Sequence, residues 1–380
     1  RIGYFAQFLE KKGHEVSVLT CAPNYPEGKI YHGYENRYTV KVENGVTIYR
    51  TKIFLSTKKS TLSRLAHYLS FVISSFITKR KIPRPDIIFA TSPPLFTGII
   101  GVIFKKLWKI PLILDIRDIW PESVESVGAV RNKNLLRQGE RLARWIYKNA
   151  DKITVTSPGI EKGIKNQTSN IKNIYILPNG AELDLFRPDT KSDHIQKIYN
   201  LKDKFVVLYT GNLGLAQAPE IFLKTAEILK NTSEILFLIV GAGVLFETLQ
   251  KQAQDKNLTN IIFTGPRPRS EMPQFVAESN VCIIPYKASD TFRNTFPSKM
   301  FDYMAGGKPI IINLKGEAGK LIEEAECGFC VEEENAEAIA RKITQLKENP
   351  VMAELMGKNG RIFVEKNYAR EAISNDLNKL

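Results

Sequence analysis

The residues best suited to chemistry gather in one stretch, Phe296 to Asn313, which reads F-P-S-K-M-F-D-Y-M-A-G-G-K-P-I-I-I-N. Ser298 is a helix N-cap candidate, and a helix from Lys299 to Ala305 carries Asp302 one turn in, on the face shared with Ser298. A carboxylate there can accept both hydroxyls of a ribose, as the acidic residue of dinucleotide folds does. A lysine at a helix start opposes the dipole unless it faces an anion, which makes Lys299 a phosphate candidate. The alternative is an ordinary amphipathic helix with a surface Asp and Lys. Downstream, Gly316-Glu317-Ala318-Gly319 opens another helix directly after a strand, a second anion cradle.

Three more turns after strands contain glycine: Gly211-Asn212-Leu213-Gly214, Gly241-Ala242-Gly243 and Gly265. Glycine lets backbone come close to phosphate, although G-x-G also occurs in tight turns that hold no ligand. In the first half, Asp118 closes P-L-I-L-D-I-R-D, before Trp120-Pro121-Glu122-Ser123. A carboxylate at a strand's carboxyl end can take a proton from an acceptor hydroxyl; the competing role is a loop cap paired with a neighbouring Arg. His14 reads as structural, and Asn179-Gly180 as a hinge turn. Cys327 and Cys330 form a C-x-x-C without a second pair or histidines at zinc spacing, and with Cys21 and Cys282 they read as buried thiols in a reducing compartment.

The elements that must position these residues alternate along the chain. V-T-I-Y-R-T, D-I-I-F-A-T, P-L-I-L-D-I-R-D, K-I-T-V-T-S and I-Y-I-L-P are short strand patterns with helices between most of them, the sign of a doubly wound parallel sheet. A polar stretch near residues 181–204 reads as a linker with a small helical element. Six further strand patterns follow, from F-V-V-L-Y-T-G to G-F-C-V-E, giving a second Rossmann-like domain. The expected division is a first domain over 1–185, a second over 186–365, and a C-terminal helix over 366–380 packing back toward the first. The chain opens on a helix ended by Gly13, then a strand from Glu15 to Thr20. An α/β domain rarely starts so, and a preceding strand and glycine loop are expected upstream.

Charge divides the chain sharply. Residues 1–189 hold 30 Lys and Arg against 16 Asp and Glu, whereas the remainder holds 24 against 24, so the whole +14 lies in the first part. Basic clusters there (Lys52, Lys58, Lys59, Arg64; Lys79, Arg80, Lys81, Arg84; Lys105, Lys106, Lys109) flank apolar stretches. That pattern suits an anionic bilayer surface better than a nucleic acid, for which no motif is present; a merely basic solvated surface is the plainer alternative. Leu65 to Thr78 is too short and serine-rich to span a bilayer, and Pro93-Pro94 breaks Ile87 to Phe104. Peripheral association is expected.

With these segments in view, the chain resembles glycosyltransferase family 4, and within it the bacterial enzymes that build lipid-linked polysaccharide precursors. The resemblance rests on G-H-E-V-S-V-L-T, P-N-Y-P-E-G-K, S-P-P-L-F-T-G, R-D-I-W-P-E-S, P-N-G-A-E-L-D-L-F, T-G-N-L-G-L-A-Q and F-P-S-K-M-F-D-Y-M-A-G-G-K-P, in order along the chain. It implies a GT-B fold, two Rossmann-like domains facing across a cleft. It also implies a nucleotide-sugar donor on the second domain, an acceptor on the first, retention of anomeric configuration, and no cofactor or metal.

The family's E-x7-E pair falls here on Asn294 and Asp302, so ribose binding passes to Asp302 and the sugar contact to a neutral Asn294. The basic pair expected after the first strand of the second domain is absent, and diphosphate charge falls to Lys299 and Arg269. The expected donor set is therefore Gly211, Asn212, Gly214, Arg269, Asn294, Ser298, Lys299, Asp302, Gly316 and Glu317, with Asp118 as the catalytic base. The expected reaction moves a hexosyl or N-acetylhexosaminyl group from a UDP-sugar to a polyprenyl-diphosphate-linked saccharide of O-antigen, capsule or exopolysaccharide type, at the cytoplasmic face of the membrane. A UDP-sugar 2-epimerase of the same fold and a non-catalytic nucleotide-sugar binding protein are the rivals.

Overall fold

The computed structural model describes all residues except 25–27, 57–60, 127, 129–131, 169–170 and 191–192. Lys58 and Lys59 of the first basic cluster, and the middle of the P-N-Y-P-E-G-K segment, therefore lie outside the described residues. The chain divides into two compact units, Arg1–Leu177 with Ser374–Leu380, and Pro178–Ile373.

The first unit contains two sheets. In one, β1 (Ser17–Cys21) pairs parallel with β3 (Val46–Thr51), and β2 (Thr39–Glu43) pairs antiparallel on the other edge of β3. That antiparallel strand departs from the expected all-parallel reading. Its cause is local: Asn44 and Gly45 both adopt positive φ, the two-residue turn that matches strand twist in a hairpin. In the other sheet β4 (Ile88–Ser92), β5 (Leu112–Ile116), β6 (Lys152–Val155) and β7 (Ile174–Ile176) run parallel in chain order. β5 is buried along its whole length, as parallel strands covered by helices on both faces must be. The last residues belong to this unit: Lys152 Nζ donates to the Leu380 carbonyl at 2.5 Å, and His14 Nε2 meets Asn378 Oδ1 at 2.7 Å. His14 is exposed and ties its turn to the C-terminal residues.

The second unit holds one six-stranded parallel sheet built from β8 (Phe205–Thr210), β9 (Ile235–Val240), β10 (Ile261–Gly265), β11 (Val281–Ile284), β12 (Ile310–Ile312) and β13 (Gly328–Cys330). Its order is β10-β9-β8-β11-β12-β13, all neighbours parallel. β9 reads I-L-F-L-I-V with every residue buried, so only a central position between helical layers suits it. Renumbered within the unit, the order is 3-2-1-4-5-6, the doubly wound Rossmann arrangement. The chain reverses its direction of winding between β8 and β11, which opens a crevice beyond the carboxyl ends of those two strands.

Candidate functional site

The residues following β8 and β11 line that crevice. β8 runs into Gly211, at φ +129, where a Cβ would stand 2.9 Å from Lys299 Nζ. The Lys299 side chain arrives on the Ser298–Ala305 helix, whose buried face consists of Met300, Phe301, Tyr303, Met304 and Ala305. Tyr303 fixes that helix to the end of β8: its hydroxyl accepts from the Thr210 backbone N–H at 2.8 Å and meets Thr210 Oγ1 at 3.1 Å. The Lys299 ammonium then lies 3.8 Å from the centroid of the Tyr209 ring. Tyr209 is itself held by donation from its hydroxyl to the Asn212 carbonyl at 2.6 Å. No carboxylate faces Lys299 among the described residues, and burial pushes its pKa down to about 7.

Asp302 stands one turn further along the same helix, with its side chain 13% exposed. Oδ2 lies 3.5 Å from Arg269 Nη1, while Oδ1 is buried with no hydrogen-bond partner. Burial pushes this carboxyl up to about 6, against the pull of Arg269 and Arg370. Arg269, in the turn after β10, donates to Glu182 Oε1 at 2.9 Å, and Arg370 holds the same carboxylate. Arg370 also donates to the carbonyls of Asn179 at 3.1 Å and Gly180 at 2.9 Å. The Asn179-Gly180 turn is therefore clamped.

Two details correct the sequence reading of this region. The helix starts at Ser298, with Pro297 in the capping position and no side-chain cap. Proline enters there in extended conformation and takes the place assigned to Ser298, whose residue is exposed. The glycine turns also serve packing first. Gly211 N–H donates to the Val240 carbonyl at 2.8 Å and Leu213 N–H to Ala242 at 2.9 Å, so neither N–H is offered to a ligand. A Cβ on Gly241 would overlap the Gly211 carbonyl oxygen, and one on Gly243 would overlap Leu213. Asn212 is exposed and Gly214 buried in the same loop.

A second group sits after β12. Gly316, at φ +135, precedes the Glu317–Glu324 helix, and a Cβ there would overlap the Arg293 carbonyl oxygen. This close approach seats the Asp290–Arg293 helix, which Asn294 terminates, against the Gly316-Glu317 turn. Arg293 forks onto Glu333 at 2.8 and 2.5 Å and onto Asp290 at 2.7 Å, fixing the segment that carries Asn294.

In the first unit β5 ends at Ile116, so Asp118 lies two residues beyond the strand and not on its last position. The loop is pinned on both sides. Arg117 donates from its backbone to the Ser92 carbonyl at 2.9 Å and from Nη2 to the Pro93 carbonyl at 3.0 Å. Gln167 Nε2 donates to the Trp120 carbonyl at 3.2 Å and to Glu122 Oε1 at 2.6 Å. Between these anchors no hydrogen bond or ion pair holds the Asp118 carboxylate among the described residues, and it caps none of them. Burial raises its pKa, with Arg117 pulling the other way. Asp115, three residues earlier, is the structural carboxylate: it takes Arg1 Nη2 at 2.7 Å and the hydroxyls of Thr154 at 2.8 Å and Thr91 at 3.0 Å.

The sequence reading missed Glu182, Arg370, Tyr209 and Tyr303, which set the environment of Asp302 and Lys299. Glu182 and Tyr303 stand within motifs quoted above, P-N-G-A-E-L-D-L-F and F-P-S-K-M-F-D-Y-M-A-G-G-K-P; Arg370 carries no local signal. Among the described residues no three His, Cys, Asp or Glu gather as metal ligands. Cys327 and Cys330 are free thiols, and burial raises both, to about 12 and about 11.

Two α/β units, the second with a crevice at the switch point of a Rossmann sheet, define a protein of the GT-B class. Residues 1–180 match the family model "Glycosyl transferase 4-like domain", and residues 191–363 match "Glycosyl transferases group 1". The chain belongs to glycosyltransferase family 4, and it is an enzyme. It is 28% identical over 361 residues to the putative colanic acid biosynthesis glycosyl transferase WcaI of Escherichia coli, covering 90% of this chain and 86% of that one. It is 24% identical to the probable glycosyltransferase WbjE of Pseudomonas aeruginosa, over 83% of this chain and 79% of that one. Among solved structures, sucrose-phosphate synthase from Thermosynechococcus elongatus superposes with a TM-score of 0.78 at 19% identity, over 100% of this chain and 91% of that one. Anabaena HepE in complex with UDP-glucose gives 0.72 at 15% identity, over 97% and 100%.

Proposed function

We propose that the chain is a retaining transferase that moves a hexosyl or N-acetylhexosaminyl group from a UDP-sugar to a polyprenyl-diphosphate-linked saccharide, in cell-surface polysaccharide biosynthesis at the cytoplasmic face of a membrane. The observation that carries the donor assignment is the pairing of an unneutralised lysine and a carboxylate with one orphaned oxygen on one helix at the switch point. Asp302 accepts the ribose hydroxyls, Lys299 faces the diphosphate, and Asn294 and Glu317 meet the sugar. UDP complexes of a protein of the same fold and the WcaI likeness support the nucleotide and the pathway class.

In the proposed reaction the bond from the anomeric carbon to the β-phosphate oxygen breaks, and its electron pair leaves with UDP, whose charge Lys299 offsets. The acceptor hydroxyl oxygen bonds to the anomeric carbon on the same face, and its proton passes to Asp118. The charge is met by side chains and helix N-termini, and no metal takes part.

The test incubates the full chain with radiolabelled UDP-glucose, UDP-galactose and UDP-N-acetylglucosamine, with and without polyprenyl-diphosphate acceptors, and reads product configuration by NMR. Lipid-linked product that keeps the α configuration supports the reading. An inverted product overturns retention. Release of a free 2-epimer assigns an epimerase, and tight UDP binding with neither transfer nor hydrolysis assigns a binding protein.

A further inference from the structure

The Thr61–Thr78 helix of the first unit presents an unpartnered apolar stripe. Leu62, Leu65, Leu69, Ile73, Phe76 and Ile77 are all exposed, Ile73 at 61% and Ile77 at 63%. At 100° per residue these six positions fall within an arc of about 120° on one side of the helix. The other side packs on the Leu95–Trp108 helix and β3, and Ser75 and Thr78 are buried there. The loop before the helix extends the stripe: Phe54 N–H donates to Ser70 Oγ at 2.7 Å and the Phe54 carbonyl meets His67 Nδ1 at 2.8 Å, while its ring stays half exposed.

The charge around this stripe has one sign. From Asn44 to Pro85, 42 residues contain nine Lys and Arg and no Asp or Glu. Arg80, Lys81 and Arg84 are exposed just past the helix end, and Lys79 lies 4.6 Å from the Trp108 ring, which joins the ends of the two helices. Lys109 is exposed beside them, whereas Lys105 is taken by Asp151 at 2.7 Å.

We infer that this face is the chain's docking surface for an anionic bilayer, on which the helix lies parallel to the membrane plane. It deepens the membrane part of the proposed function and is independent of the transfer chemistry. A second copy of the chain is the poorer occupant, because the stripe pairing with itself sets basic flank against basic flank. No helix among the described residues is long and apolar enough to cross a membrane. An apolar face rimmed by Lys and Arg is what a headgroup boundary accepts.

Sedimentation of the full chain with phosphatidylglycerol–phosphatidylcholine vesicles, against phosphatidylcholine alone, tests this. Leu69→Glu with Ile73→Glu keeps good helix formers at exposed positions, and Arg80→Gln with Arg84→Gln removes two charges. At about fivefold per basic residue, the second pair weakens binding to anionic vesicles about 25-fold at low salt, and the first pair lowers it at least tenfold. Melting curves and UDP-sugar hydrolysis without vesicles stay at wild-type values in both. Wild-type failure to bind anionic vesicles, or equal binding by the Glu pair, overturns the inference. So does a concentration-dependent dimer that the Glu pair abolishes. Hydrolysis and transfer failing while vesicle binding persists would refute the enzymatic reading and leave this surface standing.

Discussion

Lys299 and Asp302 give donor affinity a shape on the pH axis that can be worked out in advance. Free of ligand, Lys299 titrates near about 7 and Asp302 near about 6. A diphosphate beside the ammonium raises the lysine's pKa on binding, so above pH 7 binding takes up a proton and weakens as pH rises. A ribose accepted by Asp302 favours the ionised carboxylate, so below pH 6 binding releases a proton and weakens as pH falls. UDP-glucose, whose phosphates carry no ionisation of their own in this range, should bind best between pH 6 and 7. From pH 6.5 to 8.5 its Kd should rise about twentyfold, or about 1.8 kcal/mol, and from pH 6.5 to 5 about sixfold. Isothermal titration in two buffers of different protonation enthalpy reads both the affinity and the proton count. Lys299→Met should flatten the alkaline limb alone and Asp302→Asn the acid limb alone. Uridine, without phosphates, should keep only the acid limb. A wild-type Kd unchanged from pH 6.5 to 8.5, or a uridine profile with the same alkaline limb, would refute the diphosphate role of Lys299.

The same shift makes Asp302 a burden on stability. Its folded pKa lies about two units above the ordinary value, so the cost of ionising it develops as pH rises from about 4 to 6; Asp302→Asn should therefore stabilise the protein by about 2 to 3 kcal/mol at pH 8 and by nothing at pH 4, as melting curves will show. Arg370→Met leaves the Glu182 carboxylate to Arg269 alone and strands two carbonyls, and should cost about 2 to 4 kcal/mol in urea denaturation. Gly241→Ala, which drives a methyl into the Gly211 carbonyl, should cost at least about 2 kcal/mol more than Gly265→Ala, where a Cβ meets nothing and only the positive φ is strained. Asp118→Asn should lower transfer by about 10² to 10⁴-fold with donor affinity and melting temperature kept, and near-wild-type turnover would remove it from the reaction.

Much of this fold could be read before the structure, because parallel strands buried on both faces must be runs such as I-L-F-L-I-V, and the helix from residue 298 carries its own 3.6-residue pattern. The all-parallel reading passed over the hairpin of β2 and β3, although Asn44-Gly45 between two β-rich runs is the short-range signal for one. What sequence could not show are contacts made by the crossover topology. Tyr209 meets Lys299 only because β8 and β11 are neighbours across 70 residues of intervening chain, Gly211 to Asn280. Glu182 meets Arg370 across 188 positions. The Ser298 reading failed for a local reason instead: the proline before it already sets the extended entry a cap residue would provide.

A helix bearing a lysine and an aspartate three residues apart would be more stable if the two charges paired, since i,i+3 neighbours of opposite sign attract. Here they do not. Asp302 is drawn to Arg269, within reach of Arg370, and Lys299 to the face of Tyr209, so each is desolvated without the partner its own helix could supply. Folding alone gives no reason for this, because it raises the cost of one buried carboxylate and one buried ammonium together. A nucleoside diphosphate would remove both costs at once: its ribose would offer donors to the orphaned Oδ1 and its phosphates negative charge to Nζ. If that is the reason for the arrangement, the two positions must act on different parts of one ligand. Lys299→Met should then weaken UDP much more than uridine, Asp302→Asn should weaken both, and a Lys299→Met variant that binds UDP and uridine with equal losses would leave the separation of the two charges without its explanation.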